Sequence, residues 1–399
     1  MNFISFIFLI VNIFSKKPDI SKIQKKWLLA VKIAQVFALR IDFLSRDSCM
    51  ELSKLFSQNF HDNDLWFDEI VSNYIGNDWY NNFDFIDKIP LASASIWQVH
   101  KARLKNNEIV VIKIIKKDFT EKFIKDIRNI EKFLKFIIFF YPKLEKVANP
   151  LSVLESIKKT TISELNLLNE ISNAEILNNV YEKYKDQIDI SRFALPKYYK
   201  ELSNENILVS EYIDWENFDR LLEEKKMNYN LLLAFFQIHG VFMFSEWIFH
   251  WDVHPGNLIY KNWKIYLIDN WAISEALRST RAWLFEFFKN LVIYDYKKCA
   301  DSLLKMSITK INNIEKFNKE FELLYKDFEW KNVSQVSLTK QMMDTIKTAV
   351  HNWATFNDDM YPIIKSLMYL DWMVIKCKPD ADLIKDLKPF IKDFEKFIK

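Results

Sequence analysis

The sequence predicts an α+β fold in which a small sheet-bearing lobe is followed by a helical lobe. Three observations lead there. Helical periodicity dominates from Ser21 to about Tyr80, a strand-rich patch follows it, and everything after about Ala282 is helical again. At 399 residues the chain is long enough for one large two-lobed domain or two ordinary ones. Half of its residues are apolar and 27% are charged, which excludes wholesale disorder. Lys+Arg (56) and Asp+Glu (53) leave a net charge of +3, so no nucleic-acid partner is expected. Cys49, Cys299 and Cys377 lie far apart with no CxxC pair, which indicates neither a disulfide framework nor a zinc site.

From the start of the chain, residues 1–14 are apolar and are followed by Lys16 and Lys17. The run is shorter than the roughly 20 residues that span a bilayer, so an interfacial anchor or a docked helix suits it, and a signal segment suits it less. After the first helical region, Ala94 to Leu104 and Glu108 to Ile115 carry β-branched residues, with Lys105-Asn106-Asn107 as a hairpin turn. Helices are expected from Phe119 to Tyr184, then short strands over Ala194 to Leu202 and Asn206 to Tyr212. Leu231 to Phe249 is apolar but contains Gln237, His239, Ser245 and Glu246, which favours a buried core helix over a membrane span. A hairpin follows, Asn257 to Tyr260 and Ile265 to Asp269, turning at Lys261-Asn262.

The strongest chemical signal is His250-Trp251-Asp252-Val253-His254-Pro255-Gly256-Asn257, followed by the apolar strand that runs into Asp269. An Asp, an Asn five residues on, and a hairpin ending in a second Asp form the layout of a phosphoryl-transfer site. The first Asp orients or deprotonates a nucleophile, while the Asn and second Asp hold magnesium against ATP phosphates. Oxygen ligands on short loops suit magnesium, which keeps waters and takes one or two protein groups. A polar turn between strands would require neither the Asp-x4-Asn spacing nor the apolar strand into Asp269. Upstream, Val110-Val111-Ile112-Lys113 is an apolar strand ending in a lysine, a weak signal alone but one followed by helices offering Glu164 and Glu170. Those glutamates are six residues apart, about 240° around a single helix, so they would serve two different lysines.

Pro90 to His100, with Ala92-Ser93-Ala94-Ser95 at its centre, resembles the alanine-rich loop of the UbiB (AarF-domain) family of atypical protein-kinase-like proteins. The resemblance extends from about Lys26 to Met306. Lys32-Ile33-Ala34-Gln35 sits where that family has Lys-x-Gly-Gln, and Arg40 to Leu55 follows it as the family pattern does. Glu164-Leu165-Asn166 matches its Glu-x-Asp motif, Ser210 to Asp214 its hinge strand, and His250 to Asn257 its catalytic loop. The resemblance implies a protein-kinase-like two-lobed fold: a helical N-terminal extension over 1–80, an N-lobe over 81–212 and a helical C-lobe over 213–399. It implies that Ala92, Ser93, Ala94 and Ser95 cover the nucleotide and that Lys113 binds phosphates and pairs with Glu170. Lys32 and Gln35, three apart on one helical face, reach into the pocket with Lys32 paired to Glu164. Asp252 is then the catalytic-loop aspartate, and Asn257 and Asp269 hold magnesium. The implied function is ATP binding and hydrolysis linked to isoprenoid-quinone or other membrane-lipid metabolism. The expected ligands are ATP and Mg2+, with a membrane surface or isoprenoid lipid as a further candidate partner and a cytoplasmic location peripheral to the membrane.

Three departures from the pattern stand out: Ala34 for glycine, Asn166 for aspartate, and Asp269-Asn270-Trp271 for Asp-Phe-Gly. They keep open a nucleotide-binding pseudokinase scaffold as the alternative. An aminoglycoside-phosphotransferase-like small-molecule kinase shares the catalytic-loop pattern but needs neither Lys32 to Gln35 nor the alanine-rich loop. Composition adds an anomaly: 3 glycines against 13 tryptophans, where glycine usually makes up roughly 7% of residues. Seven tryptophans, at positions 27, 97, 215, 247, 251, 263 and 271, fall where the family pattern commonly has Gly, or Gly alternating with Ala. In Lys261-Asn262-Trp263-Lys264 a two-residue hairpin would need positive φ at both central residues, which favours Asn-Gly and strains Trp. The expectation is that these codons are TGA, read as glycine in the source and as Trp here.

Overall fold

The computed structural model describes residues 1–25, 28–38, 40, 44–56, 67–94, 96–116, 119–142, 149–214, 216–309, 311, 313–326, 328–330, 332–335, 337–357 and 360–397. They form two compact units, Met1–Ser172 with Pro196–Tyr212, and Asn173–Leu195 with Ile213–Lys399. Both mix helices and strands, an α+β arrangement as the sequence predicts.

The first unit opens with helix α1 (Phe3–Ile13), whose N-cap Asn2 accepts a hydrogen bond from the Ser5 backbone N–H. Phe6, Leu9 and Ile13 recur at helical spacing and are buried, while Phe3, Ile4, Phe8 and Val11 on the same helix, and Phe14 just after it, are exposed. Helices α2 (Ile20–Gln24), α3 (Leu28–Ala38), α4 (Arg46–Ser53) and α5 (Phe67–Tyr74) complete the N-terminal helical region. An antiparallel sheet follows in the order β1 (Phe83–Ile86), β3 (Trp97–Leu104), β4 (Ile109–Ile115), β6 (Ile207–Glu211), with β2 (Ala92–Ser93) on β3. The β3–β4 hairpin turns at the predicted place, with Asn107 taking the left-handed conformation (φ 69°) that asparagine tolerates. One face of the sheet buries Ala102, Leu104, Val110, Ile112, Ile114, Ile207 and Val209 against Phe67, Val71 and Trp79. Helices α6 (Phe119–Phe140) and α7 (Pro150–Glu164) belong to this unit; α8 (Leu168–Tyr184) begins in it and continues into the second.

In the second unit α9 (Phe218–Glu223) and the buried α10 (Tyr229–Ser245) precede β7 (Ile248–His250), the antiparallel pair β8 (Leu258–Lys261) and β9 (Lys264–Leu267), and β10 (Ile273–Glu275). Strand β10 pairs with β7, and β5 (Phe193–Ala194) lies parallel to β9. Helices α11 (Arg278–Leu291), α12 (Tyr296–Met306), α13 (Ile314–Tyr325), α14 (Leu338–His351), α15 (Met360–Cys377) and α16 (Leu383–Phe394) make up the rest. Gly240 lets α10 and α16 approach closely, since a Cβ there would lie 2.3 Å from the tip of the Phe394 ring. No helix among the described residues is long and apolar enough to cross a membrane.

Three expectations need correction. The apolar helix ends at Ser245 rather than Phe249, because the chain turns at Trp247 (φ 69°) and re-enters as β7. The strand expected over Ala194 to Leu202 is only Phe193–Ala194, followed after Pro196 by a short 3-10 turn, Lys200–Leu202; proline has no N–H to give a ladder. Glu164 ends α7 and Glu170 lies in the first turn of α8, so the two do not share a helix as the 240° argument assumed.

The backbone bears on the tryptophan anomaly. Trp247, Trp263 and Trp353 have φ of 69°, 70° and 74°, while none of the three glycines has positive φ. Bulky side chains rarely occupy this region. Lys261 pairs with Lys264, which leaves Asn262 (φ 48°) and Trp263 as the two-residue turn the sequence predicts. Trp97, Trp251 and Trp271 do not have positive φ, so the argument from backbone strain does not reach them. Trp27 and Trp215 lie outside the described residues.

Candidate functional site

In the first unit the site grows from β4. Its alternation sends Ile112 and Ile114 into the apolar core, and Lys113, between them, opposes Val99 on β3 and Leu208 on β6. Lys113 is only 8% exposed, and its ammonium forms an ion pair with Glu170, itself 1% exposed. Glu170 stands in the first turn of α8, where the helix dipole favours a carboxylate. The Trp97 ring centroid lies 4.7 Å from the lysine nitrogen. Strand β2 runs beside the same segment: Ala92 opposes Val99, the residue across from Lys113, and the Leu91 N–H donates to the Val99 carbonyl at 2.7 Å. The Ala94 N–H then donates to the Trp97 carbonyl at 2.9 Å, closing the loop tightly. Ser93 is buried; Ser95 lies outside the described residues.

Lys32, on α3, forms an ion pair with Glu164 at the end of α7. The two glutamates thus serve two lysines, on helices separated by residues 165–167. Gln35 donates its amide to the Leu55 carbonyl at 2.9 Å, bracing the chain that follows α4. Ala34 is fully buried in α3. Asn166 accepts from the Leu168 N–H at 3.1 Å at the start of α8. An aspartate would accept the same bond, so asparagine keeps this turn into the helix.

In the second unit the loop after β7 is held by its own polar groups. The His250 ring donates from Nε2 to the Asp269 carbonyl at 2.7 Å, which fixes the tautomer because a carbonyl only accepts. Burial pushes the His250 imidazole below its usual pKa. His254 Nδ1 accepts from the Gly256 N–H at 3.0 Å and lies 3.6 Å from the Asp219 carboxylate. Asn257 donates its side-chain amide to the Asp252 carbonyl at 3.1 Å, and its own carbonyl accepts from the Ile268 N–H at 3.0 Å. Those two bonds tie Asp252, Asn257 and the strand end before Asp269 into one piece. Asp269 is buried and Asn270 fully so. The Asn270 backbone carbonyl accepts from Asn173 at 2.8 Å, and its side-chain amide donates to the Leu267 carbonyl at 3.3 Å. Trp251 and Trp271 pack edge to face, 4.9 Å apart.

Asp252 carries a partner that local motif reading missed. The Lys365 ammonium, on α15, lies 2.9 Å from an Asp252 carboxylate oxygen. Burial raises the Asp252 carboxyl, but Lys365, with smaller contributions from His250 and His254, holds the group below the usual carboxylate pKa. No signal around Lys365 points to this, because the pair joins segments more than a hundred residues apart in sequence.

Comparison with known proteins follows the same lines. The ABC1 atypical kinase-like domain family matches residues 60–303. A probable protein kinase UbiB of Blochmanniella pennsylvanica is 30% identical over 381 residues, covering 91% of this chain and 67% of its own length. An uncharacterised protein encoded in the hydrogenase 1 5′ region of Clostridium pasteurianum is 25% identical over 374 residues, covering 91% of this chain and 68% of its own. Among solved structures, the Rv3197–erythromycin complex of Mycobacterium tuberculosis aligns with a TM-score of 0.51 at 17% identity, covering 78% of this chain and 82% of that one. At that identity the likeness concerns the fold, which is kinase-like.

Proposed function

Because the chain belongs to the ABC1 atypical kinase-like family, we propose that it is a UbiB-type atypical kinase that binds ATP with magnesium and hydrolyses it. The observation that carries this reading is the buried Lys113–Glu170 ion pair on a strand flanked by the Ala92–Ser93 segment. A lysine on such a strand, fixed by a helix glutamate, is the phosphate-binding element of kinase chemistry. Lys113 would hold the α/β-phosphates, Ala92 to Ala94 would cover them, and Asp252 would orient or deprotonate the attacking oxygen. Asn257 and Asp269 would hold magnesium, whose charge offsets that of the phosphates. Magnesium asks for one or two protein oxygens, with phosphates and water completing its shell, and these two residues offer that number from a hydrogen-bonded loop and strand end. Lys32, Gln35 and Glu164 would line the same pocket from the helical extension.

The reading includes a link to isoprenoid-quinone or other membrane-lipid metabolism, at a membrane surface. The N-terminal helix supports it: α1 exposes Phe3, Ile4, Phe8 and Val11, and its Phe3 and Phe6 rings pack on Phe133 of α6, which itself exposes Phe136, Phe139 and Phe140. Exposed apolar side chains grouped in this way mark an interaction surface. The test is calorimetric titration with ATP in magnesium, together with turnover measured with and without anionic lipid vesicles. Binding in magnesium, with turnover raised by vesicles in wild type and not in Phe8→Asp/Val11→Asp, is expected. Failure to bind ATP would overturn the reading, and turnover indifferent to vesicles would overturn the membrane part of it.

A further inference from the structure

The loop from Asp252 to Asn257 contains no Lys or Arg, so it provides no cation of its own for the aspartate. The cation comes from α15, outside the segment that the family match covers. Lys365 is 5% exposed although its side chain ends in a charge, and its nitrogen lies 2.9 Å from Asp252 Oδ1. One turn further along the same helix, the Tyr369 ring packs edge-on against His254 of the same loop, with ring centroids 5.4 Å apart. Two residues at i and i+4 of one helix therefore meet the loop, Lys365 at the carboxylate and Tyr369 at His254. Burying an ammonium is costly unless it is paired, and here the pairing partner is the catalytic-loop aspartate. A Lys anywhere else on α15 could satisfy a surface; a buried one aimed at this carboxylate fixes its position.

We propose that Lys365 is the positioning residue of the catalytic loop: its ammonium holds the Asp252 carboxylate in a single orientation, a task the loop's own residues leave undone. The inference rests on the function proposed above, since it assigns Lys365 to the same site. The 2.9 Å contact with Asp252 carries it, and the Trp251 ring, with its centroid 4.3 Å from the Lys365 nitrogen, adds to the cover of the ammonium. Lys365 acts through Asp252 and need not touch ATP, so its loss should lower turnover without weakening nucleotide binding.

The experiment is a double-mutant cycle of Lys365→Met and Asp252→Asn, read by ATP turnover and by thermal unfolding, with Lys365→Arg as the conservative variant. Misplacing a reacting group by about 1 Å costs on the order of 100-fold. Lys365→Met should therefore lower kcat by about that much with KM for ATP unchanged, and Lys365→Arg should recover a large part of it. In the Asp252→Asn background Lys365→Met should have little further effect on kcat, because the two residues act as a unit. Melting temperatures should show the same coupling, with Lys365→Met lowering Tm less once Asp252 is neutral. Additive effects on Tm would overturn the ion pair. Coupling in Tm with turnover unaffected by Lys365→Met would overturn the positioning role and leave a structural pair. A wild-type protein without turnover would overturn the proposed function and the positioning role with it, while the Tm cycle would still report on the pair.

Discussion

Replacing Lys113 by methionine removes one charge of a buried pair and keeps most of the side-chain volume. Glu170, 1% exposed, would then hold a carboxylate away from water with its ammonium partner gone. Breaking a buried pair in this way costs about 3–5 kcal/mol. For a unit of this size each kcal/mol lowers Tm by about 2–4 °C, so a fall of about 6–20 °C is expected. Neutralising the glutamate as well, in Lys113→Met/Glu170→Gln, should return most of that loss, since the penalty arises from the stranded charge and not from lost packing. Adding MgATP at about 100 times its Kd stabilises a binding-competent protein by about 2.7 kcal/mol. Wild type should show that rise, and both variants should lose most of it because the charge-assisted phosphate contact is gone. Differential scanning calorimetry with and without MgATP measures all of these. Equal Tm for Lys113→Met and wild type, or a full nucleotide-induced rise in Lys113→Met, would refute the reasoning.

Asp269→Asn should abolish magnesium-dependent hydrolysis while leaving Tm within a few degrees of wild type, a pairing that activity assays and calorimetry together check. Ala92→Gly and Ala94→Gly should shift the ATP/ADP preference, because glycine opens backbone conformations that alanine disfavours; nucleotide titrations with an unchanged preference would separate the loop from the phosphates. The codons at 247, 263 and 353 should be TGA, since Trp at positive φ is strained there. Sequencing that finds TGG at these positions would end that account. With glycine at all 13 tryptophan positions the composition would reach about 4%, nearer the usual share.

The sequence made the hairpins and the loop motif legible because both depend on local rules. Asn262-Trp263 turns where two positive φ values were required, and Asp252, Asn257 and Asp269 come together because a short hairpin separates them. The partners of Glu164 and Glu170 were legible, but the helix carrying them was not: a single-helix reading placed two faces where the chain has two helices, broken at 165–167. The strand expected over Ala194 to Leu202 ran across Pro196, whose missing N–H should have argued against it. Lys365 was illegible for a different reason. An ion pair between residues far apart in sequence leaves no periodicity or spacing, and only the packing of α15 brings it to Asp252.

The rate of phosphate release from ATP is the most direct test of the central claim, measured in wild type with magnesium, with excess chelator, and in Asp252→Asn with magnesium. Hydrolysis in the first condition, its loss on chelation, and a fall of about 100-fold or more in Asp252→Asn are predicted. ATP binding without turnover in any of the three would contradict the account and favour a nucleotide-binding scaffold.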